Sequence, residues 1–346
     1  MKSAQTIEKL HAGDSVAVLA PSSGLAAAYP YVYKLGLQRL EEVFGLNPVE
    51  FPSTTMAEPS PEQRAEDINT AFADTKIKGV FTTIGGTDQI SVLKYVDEGV
   101  LRNNPKPFFG YSDNTNFMQL LWRSNITAYY GGALMTQFAM QGGMHDMTVA
   151  SLKYAMFEHG PVKVAASPEF TDIDLDWADQ ANLNGKRQME ANDGWYWDGD
   201  GHAEGILWGG CVETMVVQLA SDIYLPSADQ LKNLVIFLET AENIPEHWIT
   251  EYVLVGLGER GILKQAKAVL FGRPKTWQLQ KQLDAETRQQ YKSQQRATVI
   301  DTVRRYNQQA IIVQNMDFGH TDPQIIVPAS NQAVVDAEKK EIIFNY

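Results

Sequence analysis

Lys106-Pro107-Phe108-Phe109-Gly110-Tyr111-Ser112-Asp113-Asn114-Thr115 runs from a short apolar strand through a serine into residues that open a helix. A serine held on such a strand-to-helix turn exposes its Oγ. The next amide, that of Asp113, lies at a helix N-terminus and can donate to an oxyanion. Gly110 supplies the small residue that the turn needs two positions earlier. The hydrolase elbow reads G-x-S-x-G, and Asn114 stands where its last glycine belongs, so the turn is predicted to be wider or to hold Asn at an unusual backbone angle. The same residues also suit a plain helix N-cap at Ser112.

Upstream, Ser15-Val16-Ala17-Val18-Leu19-Ala20 reads as a buried strand, followed by a helical stretch near residues 31–44. Short apolar runs recur at 48–51, 79–83 and 107–109, separated by helical segments near 61–72 and 89–95. This alternation predicts an α/β fold: a Rossmann- or flavodoxin-like parallel-sheet domain over residues 1–167. Ligands of such sheets sit at the carboxyl ends of the strands. Three turns fall there: Pro21-Ser22-Ser23-Gly24, Ile84-Gly85-Gly86-Thr87-Asp88 and Gly110-Tyr111-Ser112.

Downstream, residues 168–202 form a polar stretch that holds Trp177, Trp195 and Trp197. A segment this long without clear elements reads as a substrate loop or linker, although its tryptophans equally suit pinning it to the surface. Strand and helix signals resume at 204–210. They continue through Leu234-Val235-Ile236-Phe237-Leu238, which ends in Glu239, a helix near 248–261, a strand at 266–271 and a helix near 284–305. Strand-like runs follow at 310–313, 324–327, 332–336 and 341–344, and the whole of 203–346 reads as a smaller α+β domain.

The chain has 346 residues, 44% apolar, and a formal charge of -13, which argues against partners such as nucleic-acid polymers or anionic membranes. Residues 1–10 lack the apolar core of a signal peptide, and no apolar run reaches the ~18 residues of a membrane span, so a cytoplasmic protein is expected. A single cysteine, Cys211, excludes an intrachain disulfide and a Cys-rich zinc site. Its placement favours a buried structural thiol over a nucleophile.

A nucleophilic serine needs a base. Of the six histidines, only His320 sits in a turn directly after a strand-like run, in Asn315-Met316-Asp317-Phe318-Gly319-His320-Thr321-Asp322-Pro323. Glu239, at the end of its apolar strand, is placed to orient an imidazole and stabilise its charged form, with Glu242 competing for that role. Ser112, Glu239 and His320 follow the chain order Ser, acid, His. Gly85-Gly86 can bring a second amide close to an oxyanion because neither residue has a Cβ. The segment has neither G-x-G-x-x-G nor a P-loop ending, and no His spacing supports a metal beyond the thin set Asp317, His320 and Asp322. No cofactor or metal is expected. Arg273 and Lys275 read as ordinary surface residues, with a minor claim on the anionic end of a substrate.

These segments together resemble the LD-carboxypeptidases, serine peptidases that include the microcin C immunity proteins. The resemblance spans nearly the whole chain and rests on 13–23, Gly85-Gly86-Thr87, Gly110-Tyr111-Ser112-Asp113, Gly209-Gly210, Phe237-Leu238-Glu239 and Gly319-His320-Thr321-Asp322-Pro323. It implies Ser112 as nucleophile, Glu239 as acid and His320 as base, with oxyanion amides from Gly86 and Asp113, substrate contacts at Gly85 and Ser22, and a homodimer. One branch of the family removes terminal D-alanine from cell-wall peptides, and the other cuts the amide between a peptide or amino acid and a modified nucleotide. The long middle segment, with Phe170-Thr171-Asp172 leading to Trp177, resembles the second branch, whose loop tryptophan stacks on adenine. Trp177 is the first choice for that role and Trp195 the second. The resemblance therefore implies a peptidyl- or aminoacyl-nucleotide substrate, with a murein tetrapeptide carboxypeptidase and a non-catalytic nucleotide-binding protein as alternatives.

Overall fold

The computed structural model describes residues 7–226 and 232–346; residues 1–6, part of the stretch read for a leader, lie outside the described residues. Among the described residues no helix is long and apolar enough to cross a membrane.

The first sheet is built from β1 (Ser15–Leu19), β2 (Asn47–Glu50), β3 (Ile77–Thr82), β4 (Phe108–Gly110) and β5 (Ala128–Tyr130). These five strands are parallel and lie in the order β2-β1-β3-β4-β5. This is the flavodoxin-like arrangement, in which the order reverses beside β1 and opens a crevice at the carboxyl ends of β1 and β3. The β1 run is apolar on both faces because both are covered: Val16, Ala17 and Val18 are fully buried. The helix Pro61–Ala73 starts cleanly, because Ser60 and Gln63 form a reciprocal capping box and Pro61 takes the first helical position.

The remaining strands are β6 (Pro161–Val164), β7 (Glu169–Phe170), β8 (Glu190–Ala191), β9 (Tyr196–Asp198), β10 (His202–Cys211) and β11 (Leu234–Glu239). They continue with β12 (Ala266–Gly272), β13 (Trp277–Gln278), β14 (Lys281–Gln282), β15 (Ile311–Met316), β16 (Val327–Ala329), β17 (Gln332–Asp336) and β18 (Glu341–Asn345). The second sheet has eight strands in the order β6-β18-β17-β10-β11-β12-β15-β9. Its centre, β10-β11-β12-β15, is parallel, and the strands outside it pair antiparallel.

Three strands cross the division expected at 167 and 203. β6 and β9, the latter within the expected loop, belong to the second sheet, and β16 returns to the first, where it pairs antiparallel with β5. Such additions cover sheet edges whose backbone groups would otherwise be open to other chains. The second sheet is the larger, and the run at 324–327 becomes strand only from Val327.

The two sheets share one core, in which Phe81, Phe109, Phe237, Leu270 and Val313 belong to a single buried cluster. Buried polar ties fix the sheets in register. Trp122, on the helix Thr115–Arg123, donates through Nε1 to the Leu207 carbonyl at 3.0 Å, and Gln119 donates to the Gly209 carbonyl at 2.7 Å. The helix that follows Ser112 is thereby anchored to β10, whose parallel neighbour β11 ends in Glu239.

Candidate active site

Ser112 has a left-handed backbone, with φ at 63°, and opens a single 3₁₀ turn that runs into the helix Thr115–Arg123. A serine in that conformation costs ~1–3 kcal/mol, so the surroundings must hold it there. They do so with little room to spare. A Cβ on Gly85 would lie 2.9 Å from Ser112 Cβ and 3.0 Å from its Oγ, and a Cβ on Gly110 would strike Thr82 Oγ1 at 2.6 Å. Gly85 therefore approaches Ser112 through its bare Cα, with the Asp113 amide beside it. Asn114, which breaks the elbow pattern, has ordinary helical angles with φ at -62°, so the unusual angle expected there belongs to Ser112. The Asn114 side chain instead bonds the Tyr111 and Ile84 carbonyls at 3.0 and 3.2 Å, tying the serine turn to the Gly85-Gly86 turn.

Glu239 is fully buried at the end of β11 and is satisfied on both oxygens. His320 Nδ1 bonds Oε2 at 2.7 Å, and the Tyr130 hydroxyl donates to Oε1. The Ser112 amide donates to the same Tyr130 hydroxyl at 3.3 Å, so one tyrosine links the serine turn to the acid. Gly319 is required beside this pair. Its φ is 96°, and a Cβ there would lie 2.4 Å from Glu239 Oε2.

His320 Nε2 is turned toward Glu242 Oε2 at 3.1 Å, and among the described residues no hydrogen bond joins it to Ser112. Burial alone would lower the imidazole pKa, but the carboxylates of Glu239 and Glu242 overcome it and lift the group to about 10. Glu239 is the stronger partner, since 55% of the Glu242 side chain is exposed and solvent screens that pair. The Tyr111 ring covers His320 edge-on at 5.0 Å.

Ser112 and His320 line one cavity of ≈400 Å³, together with Gly85, Gly86, Trp177 and Glu242. That volume suits a ligand of nucleotide size. Trp177 meets Tyr29 edge-to-face at 5.5 Å, and the Tyr31 hydroxyl donates to its carbonyl. The other expected contacts fall elsewhere. Trp195 is absent from the cavity lining and donates through Nε1 to Asp317 at 2.8 Å, behind the His320 turn. Ser22 is only 2% exposed and supports Gly86, whose added Cβ would meet Ser22 Cβ at 2.9 Å, while the adjacent Ser23 faces the cavity.

Arg273 and Lys275, read as surface residues, are both buried. Arg273 donates to Asp317 Oδ1 at 2.7 Å and to Thr321 Oγ1 at 3.2 Å, so it braces the His320 turn from inside. Lys275 lines the cavity. Cys211 is buried, and burial with the nearby Glu239 and Glu213 carboxylates raises its thiol pKa well above the ordinary value, which opposes a nucleophilic thiolate. Among the described residues no group of three His, Cys, Asp or Glu could hold a metal ion.

Sequence reasoning missed Tyr130 because β5 has three residues, too few for a periodic signal. It missed Arg187, which also lines the cavity, because the residue lies in irregular chain. One usable signal existed for Tyr130: it aligns with Gly110 in the parallel register, so it ends its strand level with the serine turn.

Comparison with known proteins identifies the family. The family model described as the LD-carboxypeptidase N-terminal domain matches residues 16–131, and that of the LD-carboxypeptidase C-terminal domain matches 204–335. A Treponema pallidum relative named as a carboxypeptidase is 28% identical over 96% of this chain and 92% of its own length. The microcin C7 self-immunity protein of Escherichia coli is 22% identical over 81% of this chain and 77% of its own. A crystal structure of a Streptococcus pneumoniae protein similar to that immunity protein superposes with a TM-score of 0.84 at 24% identity, covering 96% of this chain and 99% of that one. With both domain models matched in order along one chain, the protein belongs to the LD-carboxypeptidase family of serine peptidases.

Proposed function

We propose that this protein hydrolyses the amide joining an aminoacyl or peptidyl group to a nucleotide, with Ser112 as nucleophile, His320 as base and Glu239 as the acid that steadies it. The observation that carries the reading is the joint presence of Ser112, His320 and Trp177 in the lining of one nucleotide-sized cavity. Two similar proteins lend support: the Streptococcus pneumoniae structure is a complex with AMP, and a structure of the microcin C7 self-immunity protein holds aspartyl sulfamoyl adenosine. Stacking of a base on a tryptophan is worth ~1–3 kcal/mol, enough to favour nucleotides ~10- to 100-fold.

With its pKa raised to about 10 the imidazole rests as the cation, so it must turn from Glu242 and release its Nε2 proton to solvent before it can take one from Ser112 Oγ. Oγ then attacks the carbonyl, the amides of Gly86 and Asp113 hold the oxyanion, and His320 passes the proton to the departing nitrogen. Water releases the acyl group by the same route in reverse. Glu239 keeps its Nδ1 contact throughout and stabilises the imidazolium.

A second reading, removal of D-alanine from murein peptides, draws on a 28% identical Bacillus subtilis relative described as a probable murein peptide carboxypeptidase, aligned over 42% of this chain. The test is to incubate the enzyme separately with an aminoacyl-sulfamoyl adenosine and an L,D-linked murein tetrapeptide and follow released amino acid by mass spectrometry. Cleavage of the nucleotide alone is expected. Release of D-alanine alone would replace the reading with the second, and tight binding without any product would make the protein a binding module.

A further inference from the structure

The catalytic cavity contains two cations outside the proposed machinery, Arg187 and Lys275, each with 5% of its side chain exposed. Arg187 lies between two carboxylates. Its Nη1 meets Asp322 Oδ2 at 2.6 Å, and its Nη2 meets Asp174 Oδ1 at 3.2 Å. Lys275 closes on the other oxygen, Asp174 Oδ2. One carboxylate thus bridges two buried cations.

The two carboxylates are not equivalent. Asp322 is part of the frame: its side chain is 7% exposed, it accepts from Gln137 at 3.1 Å, and its backbone forms a two-way bridge with Thr171. Asp174 belongs to the loop that carries Trp177, 47% of its side chain is exposed, and among the described residues its carboxylate bonds only to Arg187 and Lys275, one through each oxygen. With Asp174 in place, the two positive charges are matched by two carboxylates. With it withdrawn, one positive charge and a free edge of a guanidinium remain, the geometry that suits a planar or tetrahedral oxyanion.

We propose that Asp174 occupies the seat of a substrate oxyanion, and that Arg187 and Lys275 bind a phosphate or carboxylate of the substrate when Asp174 gives way. The proposal rests on the reading of this cavity as the substrate site and names the group that holds the substrate's anionic end. Elsewhere the lining disfavours an anion, since Asp176 and Glu242 also face the cavity. Two sources share the required chemistry: the phosphate of a nucleotide and the terminal carboxylate of a peptide.

Calorimetric titration of wild type, Asp174→Asn and Lys275→Met separates the outcomes. The probes are inorganic phosphate, AMP against adenosine, and an L,D-linked tetrapeptide against its C-terminal amide. Asp174→Asn should tighten phosphate ~10-fold and Lys275→Met weaken it ~10-fold, with adenosine and the peptide amide unaffected by either. A gain for AMP over adenosine assigns the seat to a nucleotide phosphate, and a gain for the tetrapeptide over its amide assigns it to a carboxylate. If Asp174→Asn leaves phosphate, AMP and tetrapeptide all within twofold of wild type, the proposal is overturned. If phosphate responds as expected but neither AMP nor tetrapeptide binds, the oxyanion seat stands and the proposed substrate falls. Asp174→Asn is nearly isosteric and half exposed, so it remains informative even if Lys275→Met unfolds.

Discussion

Ser112 and His320 stand on turns and Glu239 at the end of a strand, all three flanked by buried chain, whereas Trp177, Asp174 and Arg187 stand on an irregular segment held by polar contacts. In the first region a missing Cβ at Gly85, Gly110 or Gly319 sets each approach, and the distances leave no slack. In the second, the chain is fastened by the Thr171–Asp322 bridge, the Arg187–Asp322 pair and buried Asp172, which accepts from Thr276 and Arg288. Close packing admits one geometry, while charge pairs can be exchanged for a ligand's charges. Under the proposed function, the packed region carries the chemistry and the polar one the substrate choice.

The largest break should come from the packed region. His320→Ala is expected to lower kcat/KM ~10³-fold or more, and Glu239→Gln by less, because the Ser–His pair survives in part. Steady-state kinetics on the cleaved substrate checks both, and equal losses would remove the distinction between base and orienting acid. Gly319→Ala tests packing alone. Its Cβ would press on Glu239 Oε2 in a backbone conformation that L residues avoid, so activity should fall ~100-fold with a loss of ~1–3 kcal/mol in stability by chemical denaturation. Unchanged melting with full activity would show that the turn adapts.

The polar region should break more gently. Trp177→Ala is expected to raise KM ~10- to 100-fold on an aminoacyl-nucleotide with little change in kcat, and to leave a murein peptide untouched. Equal losses on both substrates would make Trp177 a structural residue.

The smallest effect sits where the two regions meet, at Glu242. A base acts when neutral, and His320 is raised to about 10 by carboxylates that face it from β11 and the segment after it, with Tyr111 alongside. Glu242→Gln removes one of those charges, so the imidazole loses its proton at lower pH. The rising limb of kcat/KM against pH should therefore move toward lower pH. A limb that stays in place would mean that Glu242 does not hold the resting imidazolium.

The same contrast explains what the chain discloses before folding. Ser112, Glu239 and His320 each end or follow an apolar run and are flagged by glycine, so a strand-end argument reaches them. The parallel sheet that holds β1, β3 and β4 is likewise signalled by repeated apolar runs with helical spacers, although their order is not. Tyr130, Asp174 and Arg187 carry no such mark, because a three-residue strand and an irregular segment have no period to read. The burial of Arg273 and Lys275 is hidden in the sequence for a different reason. Charged residues are expected outside, and only the fold supplies the Asp317 and Asp174 partners that make their burial tolerable. Trp195 and Trp177 look alike in sequence, and only their positions separate a brace behind the His320 turn from a wall of the cavity.

Whether Ser112 is the nucleophile is tested most directly by turnover of Ser112→Ala on an aminoacyl-sulfamoyl adenosine, with AMP binding measured alongside to show that the cavity is intact. Cleavage should fall at least ~10³-fold with AMP still bound. A Ser112→Ala enzyme that binds AMP and cleaves within tenfold of wild type would contradict that role.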